Sequence, residues 1–207
     1  MSGIGSRSMY CDAALRTKGF PFECIKEIHR TIMVKSHEEK HFIYFKKIVL
    51  LIRNPYDALL AYFAWAKAGH TGHPSKTALQ KACNQTFGWA VWWYVDLINA
   101  TLTRFKGPVH VLHYEKLKTY TKNELNKLAK FLKVNVTQHD IACTIELQEG
   151  NFHRKVNDAE RLELLHTVYD ILRLKKATET AENLFKDNLN LDIDVGNTIE
   201  KILLDKT

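Results

Sequence analysis

Apolar residues in this chain come in two kinds of run: short continuous stretches, and longer stretches repeating at helical spacing. Thr31-Ile-Met-Val-Lys35 is a short apolar run ending in polar residues and predicts a strand. Lys47-Ile-Val-Leu-Leu-Ile52 is continuous and β-rich, the pattern of a parallel strand buried on both faces. After the Gly107-Pro108 break, Val109-His-Val-Leu-His113 reads as a third strand.

Helices fall between and after these strands. Asn54 can cap one, Pro55 suits its first turn, and Asp57 favours the positive end of its dipole. That helix runs through Leu59, Leu60 and Phe63 to about Lys67. Gly69 ends it, and Gly69 to Ser75 is a loop. Phe87 to Phe105 reads as a long helix. Trp89, Trp92, Trp93 and Leu97 make it apolar over much of its circumference, so most of the tryptophans are expected in the core, with stacking on a sugar as the alternative. Thr121 and Glu124 have the spacing of a capping box for a helix bearing Leu125, Leu128, Phe131 and Leu132. A further helix is expected from Thr137 to Gln148. Gly150 to Asn157 is a polar, basic loop. Asn157 and Glu160 then cap a helix whose Leu162, Leu165, Tyr169 and Leu172 share a face. Helical signals weaken after Thr178, which places the tail at the periphery of a single domain spanning residues 1–207. The alternation predicts a three-layer α/β fold with a mostly parallel sheet. Ligands bind such sheets beyond the carboxyl ends of the strands. That rule selects Lys35 to His37, Arg53 to Asp57, and His113 to Glu115.

Composition narrows the choice of partner. The hydrophobic content is 45%, ordinary for a packed domain and unlike a disordered chain. No apolar run reaches the ~18 residues of a membrane span, and the longest, Phe87 to Ala100, carries Asp96. Met1 to Tyr10 lack an apolar signal core. The formal charge of +7, with ten histidines besides, favours an anionic partner. A nucleotide, a sulfated or sialylated glycan, or nucleic acid would serve, and so would a simple solubility role. The basic residues are scattered, which argues against nucleic acid. Cys11, Cys24, Cys83 and Cys143 form no CxxC pair, so no zinc site is expected. Disulfides and buried free thiols both remain open. His70 and His73 stand on a glycine loop without a third ligand.

Three segments, in this order, resemble sulfotransferases. Val34-Lys35-Ser36-His37 resembles the strand end that carries their catalytic histidine. Arg53-Asn54-Pro55-Tyr56-Asp57 resembles their 3′-phosphate-binding motif. His113-Tyr114-Glu115-Lys116-Leu117, followed by a helix ending Lys130-Phe-Leu132, resembles their next shared stretch. The chain is most similar to the WSC-domain-containing family of sialate and carbohydrate sulfotransferases. Ala68-Gly69-His70, Phe87-Gly88-Trp89 with Trp92-Trp93, and Glu149-Gly150-Asn151-Phe152-His153-Arg154 carry that likeness. The resemblance implies a P-loop-NTPase-like sulfotransferase fold, incomplete at the N-terminus. The usual first strand and phosphosulfate loop have no counterpart before Tyr10, and the glycine-rich Ser2-Gly-Ile-Gly-Ser6 follows no apolar strand and has no loop lysine beside it.

What the resemblance implies about function is an enzyme. It would move a sulfuryl group from 3′-phosphoadenosine-5′-phosphosulfate (PAPS) to a carbohydrate-type hydroxyl, in the Golgi and without metal. The alternative is a catalytically inactive sulfotransferase-like binding module. His37 is the candidate general base and Lys35 the candidate for charge on the bridging oxygen. Arg53, with Asp57, is the candidate for the 3′-phosphate, since a guanidinium can hold phosphate bidentately. Arg154 and Lys155 form either a second clamp on that phosphate or ordinary loop charge. Ala61 stands where the family commonly carries a serine eight residues after the arginine. Glu115 reads as a structural hydrogen-bonding group or a catalytic acid.

Overall fold

The computed structural model describes residues 5–9, 13–17, 31–70, 72–147 and 168–191. The chain separates into two compact units, residues 1–47 and 48–207. In the first, strand β1 (Gly5–Ser8) pairs in parallel with β2 (Thr31–Lys35), with one irregularity between Gly5 and Ser6. The pairing continues past the strand end, where the Met9 N–H donates to the Lys35 carbonyl at 2.9 Å. A five-residue helix, α1 (Ala13–Thr17), buries Leu15. A 3-10 helix, Glu39–Tyr44, follows β2. β2 has the bounds its apolar run predicts. β1 carries no apolar residue, so periodicity gives it no signal; backbone hydrogen bonding alone defines it.

The second unit is built on β3 (Ile48–Ile52) and β4 (Val109–His113), parallel neighbours in continuous register from Ile48↔Val109 to Ile52↔His113. Parallel neighbours require a crossover. Here it consists of two helices, α2 (Pro55–Ala68) and α3 (Lys76–Thr103). Beyond β4 come α4 (Tyr114–Thr119), α5 (Thr121–Leu132), α6 (Gln138–Glu146) and α7 (Val168–Leu189). None of the described helices is long and apolar enough to cross a membrane.

The α2 start follows the sequence signals. Asn54 Oδ1 accepts the N–H groups of Tyr56 at 3.0 Å and Asp57 at 3.4 Å, and Pro55 occupies the first turn. These bonds satisfy two donors that a helix start otherwise leaves open. Thr137 and Asp140 form a complete capping box on α6. The box expected from Thr121 and Glu124 does not form. Because α4 runs almost directly into α5, Thr121 lies inside the helix and its hydroxyl donates to the Leu117 carbonyl at 2.7 Å. Glu124 is buried instead and accepts from Lys127 Nζ at 2.7 Å.

Two buried clusters hold this unit together. In one, Tyr56, Leu59, Leu60 and Phe63 of α2 meet Ala82, Cys83, Phe87, Ala90 and Val91 of α3, and Leu174 and Ala177 of α7. In the other, Leu50 and Ile52 of β3 meet Ile98 of α3, and Ala181 and Phe185 of α7. Each large apolar side chain withdrawn from water contributes about 1.5–3 kcal/mol.

Five expectations need correction. Helix α3 starts eleven residues before Phe87, capped by the Ser75 hydroxyl on the Ala78 N–H at 3.2 Å. The tail after Thr178 is not peripheral, since α7 continues to Leu189 and buries Ala181 and Phe185 completely. Leu172, expected on the packed face of that helix, is exposed; the buried positions are Leu174, Ala177, Ala181 and Phe185. Two of the three α3 tryptophans are not core: Trp89 is 54% and Trp92 61% exposed. Trp89 stacks on Trp93, with ring centroids 6.5 Å apart, and reaches Tyr62 of α2 at 6.4 Å. The inward stripe of α3 is made of Ala, Cys, Phe, Val and Ile, which leaves the bulkier rings outside. Leu51 is likewise 57% exposed, so β3 buries Leu50 and Ile52 on one side rather than both. Among the described residues, neither Cys83 nor Cys143 is joined in a disulfide; Cys11 and Cys24 lie outside the described residues, as does the expected cap at Asn157 and Glu160.

Two glycines give opposite expectations. Gly69 caps α2 with φ 69° and ψ −164°, a region essentially reserved for glycine. A Cβ there would meet nothing within 4 Å, so Gly69→Ala isolates backbone strain. It should cost about 1–3 kcal/mol. In α3, the atoms nearest to a Cβ on Gly88 would be those at the tip of the Arg173 side chain. That side chain can move, and alanine is favoured over glycine in a helix by about 1 kcal/mol. Thermal unfolding should therefore show a lowered midpoint for Gly69→Ala and a near-parental one for Gly88→Ala. Equal midpoints for the two variants would contradict the assignment of strain to Gly69.

Candidate functional site

The carboxyl ends of β3 and β4 lie side by side, because Ile52 and His113 are register partners. The next residue on β3 is Arg53, whose side chain is 27% exposed. Its guanidinium lies over the Tyr114 ring, 4.7 Å from the centroid. Lys118, one turn along α4, approaches the same ring at 6.0 Å. Arg53 Nη2 stands 3.9 Å from Asp57 Oδ2, an ion pair too long for a charge-assisted hydrogen bond. Arg53 Nε is buried and has no hydrogen-bond partner among the described residues. A buried donor without a partner is costly, and a planar cation held this way fits a phosphate oxygen. The residues present therefore suit the 3′-phosphate of a nucleotide.

The backbone beneath Arg53 is held from two directions. Tyr94 Oη of α3 donates to the Arg53 carbonyl at 2.8 Å. Burial, and then the Glu115 carboxylate, raises the Tyr94 pKa well above the ordinary phenol value, so the hydroxyl remains a donor. Glu115 Oε1 accepts the Asn54 N–H at 2.9 Å, and Oε2 lies 2.8 Å from His113 Nδ1. Tyr114 and Glu115 were legible as part of the His113–Leu117 segment. Tyr94 and Lys118 were not: Tyr94 sits within an aromatic run, and Lys118 is one lysine among many.

Lys35 and His37 belong to the other unit. Lys35 ends β2, and His37 follows in a short turn that Ser36 organises. Ser36 Oγ accepts the Glu38 N–H at 3.2 Å and lies 2.7 Å from His41 Nδ1. The imidazole of His37 has a pKa below its ordinary value. Partial desolvation is the main cause and the positive charge of Lys35 the second, while Glu38 opposes them. His37 is thus kept neutral, with a basic nitrogen, in neutral solution. His41 was not singled out from sequence; its role in the turn depends on the fold of the 3-10 helix. Arg154 and Lys155 lie outside the described residues. Ala61 lies in α2 and supplies no hydroxyl.

The structure thus brings Arg53 and Asp57 together, and lets Lys35 act on His37. It adds Tyr94, Tyr114, Glu115 and Lys118 around Arg53.

Comparison with known proteins agrees with the motifs. The chain matches the family described as "Sulfotransferase domain" over residues 24–180. It is similar to a WSCD family member of Drosophila melanogaster, 31% identical over 166 residues that make up 74% of this chain and 50% of the relative. A WSCD family member of Drosophila pseudoobscura pseudoobscura is 32% identical over the same shares of the two chains. One from Aedes aegypti is 29% identical over 160 residues, again 74% of this chain and 50% of the relative. The chain therefore spans about half the length of the curated relatives it matches. No solved structure matches it. The motif order, the arginine at the β3 edge and the match over residues 24–180 lead to one assignment: the chain belongs to the sulfotransferase domain family.

Proposed function

We propose that this domain binds PAPS and serves sulfuryl transfer to a carbohydrate-type hydroxyl, in the Golgi lumen. The observation that carries the reading is Arg53: a guanidinium at the carboxyl edge of a parallel strand pair, stacked on Tyr114, with a buried Nε that has no hydrogen-bond partner among the described residues. PAPS supplies an activated sulfuryl group. Arg53 holds the 3′-phosphate, and Asp57 orients the guanidinium from α2. Arg154 and Lys155, which lie outside the described residues, are assigned to the same phosphate. His37 takes the proton of the acceptor hydroxyl, and Lys35 stabilises charge on the bridging oxygen. The compartment rests on the resemblance to Golgi sulfotransferases.

Arg53→Ala should weaken binding of 3′-phosphoadenosine 5′-phosphate by roughly 10- to 100-fold, the scale of lost hydrogen bonds to a charged group. Lys175→Ala on the exposed side of α7 serves as the control and should bind like the parent. Isothermal titration calorimetry decides the matter. Equal affinities for the two variants would remove Arg53 from the phosphate site.

For His37 the pH dependence has a definite sign. Its pKa lies below the ordinary ~6.5, so the neutral base persists to lower pH than in a free imidazole. Turnover should therefore fall only as pH drops through that lowered value, and should be level above it. His37→Ala should reduce turnover by about 10²-fold or more while leaving nucleotide affinity unchanged. A pH–rate profile of kcat for parent and variant, made in the longest protein that carries this domain, checks both. Unchanged turnover in His37→Ala would shift the base role to another group.

A further inference from the structure

The Arg53 carbonyl and the Asn54 N–H belong to one peptide unit, and both of its polar atoms are held by side chains from elsewhere in the fold. Tyr94 of α3 donates to the carbonyl at 2.8 Å, and Glu115 at the start of α4 accepts from the N–H at 2.9 Å. A trans peptide is planar, so fixing its oxygen and its hydrogen fixes the plane. That plane sets ψ of Arg53 and φ of Asn54. The first determines where the Arg53 side chain leaves the strand; the second determines where α2 begins. Tyr114, next to Glu115 in sequence, holds the guanidinium itself at 4.7 Å. Adjacent residues on one turn of α4 thus hold the Asn54 N–H of the peptide that follows Arg53 and the Arg53 side chain itself.

We propose that Glu115 and Tyr94 are positioning residues for the phosphate-binding arginine, acting through the Arg53–Asn54 peptide and not through contact with the nucleotide. This rests on the reading of Arg53 as the 3′-phosphate ligand. It adds a source of specificity: discrimination in favour of a nucleotide bearing a 3′-phosphate depends on a carboxylate and a phenol that never touch it. A carboxylate near an anion site would by itself repel a phosphate. Here Oε1 is engaged by Asn54 and Oε2 faces His113, so Glu115 acts on the backbone.

The test compares two nucleotides, 3′-phosphoadenosine 5′-phosphate and adenosine 5′-phosphate, by calorimetry on the parent, Glu115→Ala, Glu115→Gln, Tyr94→Phe and Arg53→Ala. Glu115→Ala and Tyr94→Phe should each weaken the first nucleotide by roughly 5- to 30-fold, within the range of a lost hydrogen bond. Binding of the second should change less than about twofold. Glu115→Gln should restore most of the loss, because an amide oxygen can still accept from the Asn54 N–H. Adding Glu115→Ala to Arg53→Ala should cost nothing further, since residues that act through one another do not add. If Glu115→Ala does not fold, Tyr94→Phe, which removes one hydroxyl, carries the same comparison. Equal losses for both nucleotides, or full additivity with Arg53→Ala, would overturn the positioning role while leaving Arg53 as the ligand. An unaffected Arg53→Ala would instead overturn the phosphate reading on which the role depends.

Discussion

The 48–207 unit depends on the burial of one face of α3 against α7. Helix α3 is long enough to join two cores. Near its start Ala82, Cys83, Phe87, Ala90 and Val91 pack with α2 and α7, and further along Ile98 packs with β3 and the end of α7. Leu174, Ala181 and Phe185 of α7 are fully buried in these contacts. Small residues on the facing stripe, Ala82, Ala90, Ala177 and Ala181, let the two backbones come close. Without this packing the parallel pair β3–β4 would have no layer on its buried face, and a two-stranded sheet is marginal in water.

The same packing places the chemistry. Tyr94 lies on α3 between the two cores, so burying that helix brings its hydroxyl under the end of β3. The parallel register then sets His113 beside Ile52, which delivers Tyr114 and Glu115 to the turn at Arg53. An arginine that a bare strand end would leave free to sample many rotamers is stacked, paired and held by its own backbone. Preorganisation of this kind lowers the ordering cost that a binding event otherwise carries.

The aromatic residues show a different balance. Tyr62, Trp65, Trp89 and Trp92 remain at the surface although they are large aromatic groups. The inner face of α3 is taken by Ala82, Cys83, Phe87, Ala90, Val91 and Ile98, and Trp89 and Trp92 project the other way. Trp65 Nε1 donates to His70 Nε2 at 3.4 Å, which gives one of these rings a polar partner.

Much of the scaffold was determined by sequence alone. Short runs rich in Val, Ile and Leu mark β2, β3 and β4 because a pleated, packed strand suits such side chains. Asn54-Pro55 and Gly69 mark both ends of α2 because capping and positive φ restrict residue choice locally. Arg53 was legible for the same reason, standing at a strand end just before a helix cap. Other features were decided only by tertiary structure. The first turns of α3 become stable by packing on α2 and the start of α7, and the course of α7 past Thr178 by packing on β3 and the later part of α3, and no window of either sequence contains the partner. The capping box at Thr121 fails because α4 already occupies the preceding turn. Whether a tryptophan faces inward depends on which face of its helix the fold buries, and Trp89 and Trp92 stand on the other face of α3. The hold of Tyr94 and Glu115 on a single peptide joins residues forty-one and sixty-one positions distant from their partners. Such a contact leaves no local pattern, because hydrogen-bond geometry is set by where the chain returns in space and not by which residues are neighbours along it.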